Sequence, residues 1–274
     1  LVVQVAAASK GGGAGVIETI IPCRNAPAIL WLTLVHYFGH AHDPQLVKAV
    51  TLLDNCSTAP GMAEVLHYAQ FWGARVIRHE RNVGVWASVN RGLALARSPR
   101  VLVLTSDVLL GPRAVRLLSD VMDQAPPEVV FLGPTVVDGL PNVPHLATLP
   151  ETAQVDVSRY NGACWLLNWE VLKKQVGWFD PSYYVAFGDT DYVERIRKAG
   201  LQCGIITTLP CVHLDKQTRR HEHTVEEDTD IEIRDGARFR DKWQDHPDVL
   251  ARHPAVDREK FLFLKQGWKE MQVR

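Results

Sequence analysis

The sequence has almost no excess of charge of either sign. Its 274 residues include 30 Lys and Arg against 31 Asp and Glu, which gives a formal net charge of −1. Proteins that bind nucleic acid through their overall electrostatic field are strongly basic. The net charge therefore excludes that class of protein, although it does not exclude a local basic patch. Long apolar runs are also missing, since no stretch reaches the roughly 20 apolar residues that a membrane-spanning helix needs. No transmembrane segment is predicted.

Cysteine is scarce and unpaired in pattern. There are five cysteines, an odd number, and none forms a C-x-x-C pair. We therefore expect a reducing compartment, the cytoplasm, with a peripheral position at a membrane as the alternative because aromatic residues gather near the end of the chain. The opening residues lack a basic segment and an initiator Met, so no signal peptide is predicted. Residues 1–15, with three glycines at 11–13, are expected to form a flexible lead-in.

The sequence does contain a regular alternation of strand-like and helix-like segments. Strands are predicted over residues 18–25, 47–55, 74–78, 101–104, 129–133, 160–167 and 203–207, and helices over residues 27–40, 61–72, 85–97, 112–124, 170–176 and 189–199. This pattern is typical of an α/β fold with a Rossmann-like, mostly parallel central sheet and helices on both faces. We expect this domain to occupy residues 16–215, with an irregular loop over residues 141–150.

The composition changes after residue 215. A charged run comes first, with His221 and His223 in it, and a helical pattern follows. Residues 216–274 are therefore predicted to be a charged loop, solvated or closing over a ligand, and a helical C-terminal extension. Its predicted docking residues are Phe239, Trp243, Phe261, Phe263, Leu264 and Trp268.

Polar side chains follow three of the predicted strands. Asn25 follows the first, Asp54 ends the second and Asp107 follows the third. In open α/β sheets, ligands bind beyond the carboxyl ends of the strands. Packing of the apolar third strand does not require a carboxylate at its end, so Asp107 indicates a nearby metal or phosphate.

Five segments, taken in order, resemble one known family. They are residues 19–25 (TIIPCRN), 53–58 (LDNCST), 81–92 (RNVGVWASVNRG), 105–107 (TSD) and 177–192 (GWFDPSYYVAFGDTDY). Together they resemble the inverting GT-A glycosyltransferases of the large family 2 type, especially its rhamnosyltransferase-like branch. One such segment is a weak signal, but the ordered set is a strong one. The resemblance implies a GT-A fold and a nucleotide-diphosphate sugar donor carrying UDP, dTDP or GDP.

The first three segments imply the donor-binding residues, which are Pro22, Arg24, Asn25, Asp54, Asn55, Asn82, Gly84 and Asn90. Arg24 would face the diphosphate, Asp54 would accept hydrogen bonds from the nucleobase, and the helix opening at Gly84 would hold the diphosphate. Cys56 and Ala59 depart from the family pattern, which leaves the identity of the base open. The alternatives are an ordinary strand-to-helix turn and simple helix caps at Asp54 and Asn82.

The fourth segment implies a cation site. Asp107 would bind Mn²⁺ or Mg²⁺, with Ser106 beside it in the donor site, because a hard cation held by one or two carboxylates and diphosphate oxygens is a normal arrangement. His213, after the last strand, would be the second protein ligand. Thr105 stands where the family has its first acidic residue. A cap on the next helix and a structural histidine are the alternatives.

The fifth segment implies the catalytic carboxylates. Asp189 aligns with the base that removes the proton from the acceptor hydroxyl, and Asp191 would be a second catalytic carboxylate. Gly188 replaces the usual acidic residue, and Trp86 replaces a small one in the third segment. As an alternative, both aspartates would be helix N-terminal charges that favour the dipole.

The resemblance therefore implies a metal-dependent inverting glycosyltransferase that moves a hexosyl or deoxyhexosyl group to a hydroxyl acceptor. The acceptor would be a glycan, a lipid-linked glycan or another polymer, with a modified base in DNA as a further candidate. Two alternatives stay open: a protein that binds a nucleotide sugar without turnover, and a nucleotidyltransferase. The latter normally has a glycine-rich loop with a basic residue after its first strand, which this sequence lacks.

Overall fold

A computed structural model describes residues 2–4, 15–139, 143, 146, 152–214, 223–259 and 262. The strands are β1 (Val2–Gln4), β2 (Ile17–Cys23), β3 (Val47–Asp54), β4 (Arg75–Arg78), β5 (Arg100–Leu104), β6 (Val108–Leu110), β7 (Val129–Asp138), β8 (Thr152–Asp156), β9 (Cys164–Asn168) and β10 (Gln202–His213). The helices are α1 (Pro27–His36), α2 (Met62–Phe71), α3 (Val85–Leu95), α4 (Ala114–Gln124), α5 (Trp169–Gln175), α6 (Gly188–Lys198), α7 (Val225–Lys242) and α8 (Pro247–Arg252).

The strands form one sheet in the order β1-β8-β10-β7-β9-β5-β2-β3-β4, and β6 pairs with β10. β4, β3, β2 and β5 are parallel neighbours, and β7 pairs in parallel with β10. β9 lies between β5 and β7 and is antiparallel to both, so β7 and β10 run in the same direction as the first four. The carboxyl ends of these six strands therefore point to one edge, which confirms the predicted mostly parallel α/β sheet.

Period-two alternation in the strands supplies two cores. In β5, Leu102 and Leu104 pack into one buried cluster, whereas Val101 and Val103 pack into the other. The first cluster also holds the apolar residues of α1, α2 and α4, and the second holds those of α3, α5, α6, α7 and α8. The helices thus cover both faces of the sheet, as predicted.

Several predicted boundaries need correction. The helix predicted over residues 27–40 ends at His36 and continues as a π-helical turn, Tyr37–Ala41. The strand predicted over residues 160–167 is β9, and the final predicted strand is longer, because β10 continues through an irregularity between Ile206 and Pro210 to His213. β1, β6 and β8 were not predicted. β6 and β8 are short and are specified by antiparallel pairing with β10, a contact distant in sequence. β1 lies within residues 1–15, where a flexible lead-in was expected, and it pairs antiparallel with β8.

The C-terminal extension is helical where the structure describes it, as predicted. Phe239 and Trp243 on α7 are buried in the second core and confirm two of the predicted docking residues. The loop over residues 141–150 lies almost wholly outside the described residues, as do the charged run at 216–222 with His221, and Phe261, Phe263, Leu264 and Trp268. No helix in the part of the chain that the structure describes is long and apolar enough to cross a membrane.

A buried carboxylate joins α6 to α8. Glu194 on α6 accepts hydrogen bonds from Arg197 Nη1 at 2.6 Å and Arg252 Nη2 at 2.7 Å, and its Oε1 lies 3.0 Å from His253 Nε2. Burial by itself would raise the pKa of Glu194, but these donors outweigh it and lower the pKa from 4.5 to about 2. The ionised side chain therefore stabilises the fold above pH 4.5, and this contribution is lost as the pH falls toward 2.

We predict that Glu194→Ala lowers the free energy of unfolding at pH 7 by about 1.5–3 kcal/mol, because it removes the buried carboxylate that three side-chain donors share. Urea unfolding measures the loss, and the difference from wild type should shrink as the pH falls below 4.5. Glu170→Ala is the matched control, since its ion pair with Lys174 is exposed and should contribute less than about 1 kcal/mol. Equal losses in the two variants would contradict the prediction.

Candidate active site

A cavity of about 550 Å³ opens at the carboxyl edge of the sheet. Its walls come from the ends of β2, β3, β5 and β10, the N-termini of α3 and α6, and the chain over residues 184–187. Nine of the predicted site residues line it: Pro22, Arg24, Asn55, Asn82, Gly84, Ser106, Asp107, Asp189 and His213. Five segments that are distant in sequence therefore meet around one space.

One half of the cavity, at the ends of β2 and β3, is built around a hydrogen-bonded asparagine pair. Asn55 Nδ2 donates to Asn82 Oδ1 at 2.8 Å, and Asn55 Oδ1 accepts from the backbone N–H of Val83 at 2.9 Å. Arg24 Nη1 donates to the carbonyl oxygens of Asn55 and Cys56 at 2.7 and 2.9 Å. The end of β2, the end of β3 and the turn before α3 are thus held together, with the Arg24 guanidinium on the cavity wall.

The backbone geometry at the start of α3 requires a glycine at position 84. Its φ is +80°, and an added Cβ would lie 2.9 Å from the carbonyl oxygen of Tyr184. That oxygen accepts the backbone N–H of Val85 at 3.0 Å, and Asn82 Nδ2 donates to the Tyr184 hydroxyl. The absence of a side chain at Gly84 therefore lets the backbone at Tyr184 approach the N-terminus of α3.

Asp107 and His213 meet at the next corner of the cavity. His213 Nε2 lies 3.5 Å from Asp107 Oδ1, and its Nδ1 lies 3.5 Å from Asp138 Oδ1. Burial would raise the pKa of Asp107, but the hydrogen bond and charge of His213 prevail and lower it. Burial would likewise lower the pKa of His213, and the two carboxylates raise it instead. One oxygen and one nitrogen donor thus face the same space, as the predicted cation site requires.

This donor set fits a divalent cation that takes its remaining ligands from a diphosphate. An open Mg²⁺- or Mn²⁺-type site needs only one or two protein ligands when phosphate oxygens and water complete the shell. Among the described residues there is no group of three or more His, Cys, Asp or Glu side chains spaced to hold a metal alone. A cation at this corner would therefore depend on the bound donor.

Asp189 lies in the first turn of α6 and lines the cavity. A Cβ on Gly162 would lie 2.4 Å from Asp189 Oδ2, so the carboxylate sits directly over that glycine. The neighbouring Tyr160 hydroxyl donates to Thr190 Oγ1 at 3.0 Å. Burial, and then the charge of Asp189, raises the pKa of Tyr160, which keeps that hydroxyl protonated.

Three predicted donor residues do not line the cavity. Asp54 is fully buried, and its carboxylate accepts from Arg78 Nη1 at 2.8 Å and from the backbone N–H of Ser57 at 2.9 Å. Asn25 Oδ1 accepts the N–H groups of residues 58 and 59. Asn90 exchanges two hydrogen bonds with the backbone of Phe179. Their contacts support loops behind the cavity wall.

Asp191 also lies away from the cavity. Its side chain is completely buried between α6 and α7, where it receives Arg195 Nε at 2.9 Å, Trp243 Nε1 at 3.0 Å and Lys242 Nζ at 2.9 Å. A carboxylate with these three partners has no path to an acceptor hydroxyl in this structure. Of the two aspartates, Asp189 is the one that lines the cavity.

Trp86 and Gly188, the two departures from the family pattern, occupy the same space. A Cβ on Gly188 would lie 2.3 Å from Trp86 Nε1, and that nitrogen donates to the carbonyl oxygen of Val185 at 2.9 Å. The Trp86 ring also stacks on Phe179, with centroids 5.1 Å apart. A side chain at position 188 and an indole at position 86 cannot be present together. The two departures from the family pattern therefore have one steric cause: the Trp86 ring fills the space that a side chain at position 188 would need.

Among the lining residues that sequence reasoning missed are Tyr184, Phe187, His223 and Glu232. Tyr184 and Phe187 lie inside the fifth segment, so their closeness to Asp189 was a usable signal. Glu232 carried none, because it sits in a charged helix with many acidic neighbours. His223 was grouped with the charged run, where a solvated loop was the first interpretation.

Solved structures define the class of fold. GalNAc-T7 with UDP, GalNAc and Mn²⁺ matches with a TM-score of 0.60 and 13% identity, over 73% of this chain and 43% of that one. Residues 1–349 of Staphylococcus aureus TarS with UDP match at 0.58 and 14%, over 79% and 63%. The mannosyltransferase PcManGT from Pyrobaculum calidifontis with GDP-Man and Mn²⁺ matches at 0.58 and 16%, over 82% and 64%. The shared fold is GT-A, and the chain spans less than two thirds of each of these proteins.

The family follows from the sequence match. The model of glycosyl transferase family 2 matches residues 19–187, which is more than half of the chain, so the protein belongs to that family. No curated protein matches the chain. The match ends one residue before α6, so Asp189, His213 and α7 lie beyond it.

We predict that Gly188→Ala lowers the free energy of unfolding by about 1–3 kcal/mol, because its Cβ overlaps the Trp86 ring. In a Trp86→Ala background, which itself should cost roughly 3–5 kcal/mol, the same change should cost almost nothing further. Urea unfolding of the four proteins gives the coupling energy. Gly39→Ala is the control, since no atom lies within 4 Å of its added Cβ. Equal costs of Gly188→Ala in both backgrounds would refute this steric cause.

Proposed function

We propose that this protein is a metal-dependent inverting glycosyltransferase that uses a nucleotide-diphosphate sugar. The observation that carries the proposal is the cavity that joins Arg24, Asn55 and Asn82 to the Asp107–His213 corner and to Asp189. The donor would lie along the sheet edge, and the acceptor hydroxyl would enter beside Asp189. Family membership supports sugar transfer over nucleotidyl transfer.

The donor half supports a diphosphate as the anchoring group. The Arg24 guanidinium supplies fixed positive charge on the wall, and the N-terminus of α3 presents a partial positive charge. Asn55 and Asn82 are held in place by each other and by the backbone at residues 83 and 84. UDP and GDP-Man are present in structures of similar fold, and UDP, dTDP and GDP sugars are the donors we propose to test.

Asp107 and His213 would hold Mn²⁺ or Mg²⁺ together with the diphosphate. Bound there, the cation would offset the negative charge that develops on the departing diphosphate. Thr105 contributes indirectly, since its hydroxyl is one of the groups that lower the pKa of Asp107. Asp138 contacts Nδ1 of His213 and so favours the neutral tautomer with its proton on Nδ1. The lone pair of Nε2, on the side of Asp107, would then be free to bind the cation.

Inversion needs one carboxylate near the attacking hydroxyl, and Asp189 meets this requirement. As the acceptor oxygen attacks the anomeric carbon opposite the leaving diphosphate, Asp189 would take its proton. The position at the first turn of α6 suits a carboxylate, since the helix dipole favours negative charge there. Asp191 would instead fix α6 against α7, so that Asp189 keeps its position.

A second function, binding of a nucleotide sugar without turnover, is favoured by two observations. Thr105 replaces an acidic residue at the cation corner, and Gly188 replaces another beside the base. Calorimetry that shows donor binding without product for any acceptor would support it. The intact Asp107, His213 and Asp189 favour turnover.

We predict that Asp189→Asn lowers transfer by at least about 100-fold while donor binding stays within twofold, because only the proton acceptor is lost. Product formation measures transfer, and a thermal shift with the nucleotide measures binding. Asp241→Asn, an exposed change on α7, is the control. Wild-type turnover in Asp189→Asn would rule out the assignment of the base.

We also predict that EDTA abolishes transfer and that added Mn²⁺ restores it, because the two ligands that the described residues offer at this corner would hold the cation weakly without the donor. Asp107→Asn should raise the Mn²⁺ concentration for half-maximal donor binding by about 10–100-fold. Titration of Mn²⁺ at constant donor, followed by thermal shift, gives this value. Transfer that continues unchanged in EDTA would remove the metal from the mechanism.

A further inference from the structure

The face of α7 that packs on the body of the protein is unusually polar. Asp228, Thr229, Glu232 and Asp235 on this face are all buried. Buried charged residues are rare unless they have partners or a function, and an apolar stripe is the usual way for a helix to dock. The large apolar residues buried on this face are Ile231 and Phe239, so polar residues make up most of it.

Asp235 explains part of this polar face. Its Oδ2 accepts three consecutive backbone N–H groups, those of residues 184, 185 and 186, at 3.1, 2.9 and 3.0 Å. One residue further on, Gly236 lets the Phe187 ring lie against the helix, since an added Cβ would be 3.1 Å from it. α7 therefore holds the cavity wall that leads directly into Asp189.

Glu232 lies one turn before Asp235 on the same face, and it lines the cavity. Asp235 binds the wall at residues 184–186, so Glu232 lies near that wall, and it lines the same cavity as Asp189. Tyr184 and Phe187 line the cavity in the same region. A carboxylate beside aromatic rings is a common arrangement for a sugar, whose hydroxyls bind the oxygens and whose C–H face packs on a ring.

His223 reaches the cavity from the N-terminal end of α7. The next residue, Thr224, caps the helix: its hydroxyl accepts from the N–H of Glu227 at 3.2 Å, and its N–H donates to Glu227 Oε2 at 2.8 Å. This capping box fixes the backbone next to His223. α7 thus presents two hydrogen-bonding side chains, 9 residues apart, to one space.

The charge of the part of the cavity next to α7 disfavours an anionic acceptor. Asp189 and Glu232 are both carboxylates, whereas Arg24, among the described lining residues the only Lys or Arg, lies at the donor end. A phosphate on the acceptor would have to approach these two carboxylates, and no Lys or Arg among the described lining residues accompanies them at this end of the cavity. An uncharged sugar meets no such penalty.

We propose that Glu232 and His223 form the acceptor subsite and bind hydroxyl groups of an uncharged sugar, placing its nucleophilic hydroxyl at Asp189. This inference rests on the proposed function, and it assigns acceptor recognition to a helix beyond the family match. Glu232 accepts a hydrogen bond from one sugar hydroxyl, and the His223 ring bonds a second. Neither residue takes part in the proton transfer.

The test separates the acceptor from the donor. Donor hydrolysis without acceptor is measured with UDP, dTDP and GDP sugars and Mn²⁺, and transfer is measured to a panel of p-nitrophenyl hexosides and their 6-phosphates. We expect transfer to a neutral hexoside, with a KM at least tenfold below that of its 6-phosphate. Glu232→Ala should raise the KM for the neutral hexoside at least tenfold, and His223→Asn at least threefold, with donor hydrolysis within twofold of wild type. Glu226→Gln, an exposed change on the same helix, should alter neither value.

Glu232→Gln keeps the shape of the side chain and guards against misfolding of the alanine variant. It should bring the KM values of the neutral and phosphorylated hexosides closer together, because one carboxylate charge is gone. An unchanged acceptor KM in Glu232→Ala, an equal loss of donor hydrolysis, or a preference of the wild type for the 6-phosphates would overturn the inference. So would donor hydrolysis with no transfer to any neutral hexoside. If the wild type neither hydrolyses nor transfers any donor, the proposed function fails instead.

Discussion

Parallel pairing of β2 with β3 and β5 is the constraint on which the candidate site depends. Paired strands of one direction must end at the same edge, so the polar residues after Cys23, Leu53 and Leu104 arrive together although they are far apart in sequence. The position of each polar residue relative to the end of its strand then decides where its side chain lies. Asp54, paired with Cys23, points into the protein and meets Arg78, whereas Asp107 lies beyond the end of β5 and meets His213.

The second half of the site depends on buried carboxylates in the C-terminal part of the chain. Asp235 binds the backbone at residues 184–186, and Asp191 joins α6 to α7 through Lys242 and Trp243. Both are removed from water, and removal of their donors would leave a buried charge, so these contacts define one arrangement of the wall. α7 is therefore part of the site and not an appendage to the sheet.

Local patterns were enough for most of the fold and for the donor half. Alternation of apolar residues predicted the main strands, and the strand ends predicted Asn25, Asp54 and Asp107 at one edge, of which Asp107 lines the cavity. The family resemblance added Arg24 and Asn55. The same patterns did not distinguish lining residues from supporting ones. Asn90 and Asp191 fit a family motif, yet their side chains turn to Phe179 and to α7. The direction of a side chain depends on partners that no local pattern contains.

The amino-acid sequence by itself determined the order of strands and helices, the polar residues at the strand ends and the family resemblance, because periodicity and short motifs act over a few neighbouring residues. Only the tertiary structure decided that Trp86 fills the space above Gly188, that Asp191 is buried and that Glu232 faces the cavity. Each of these depends on a contact between residues about 45 to 100 positions apart, and such contacts exist only once the sheet and helices have packed.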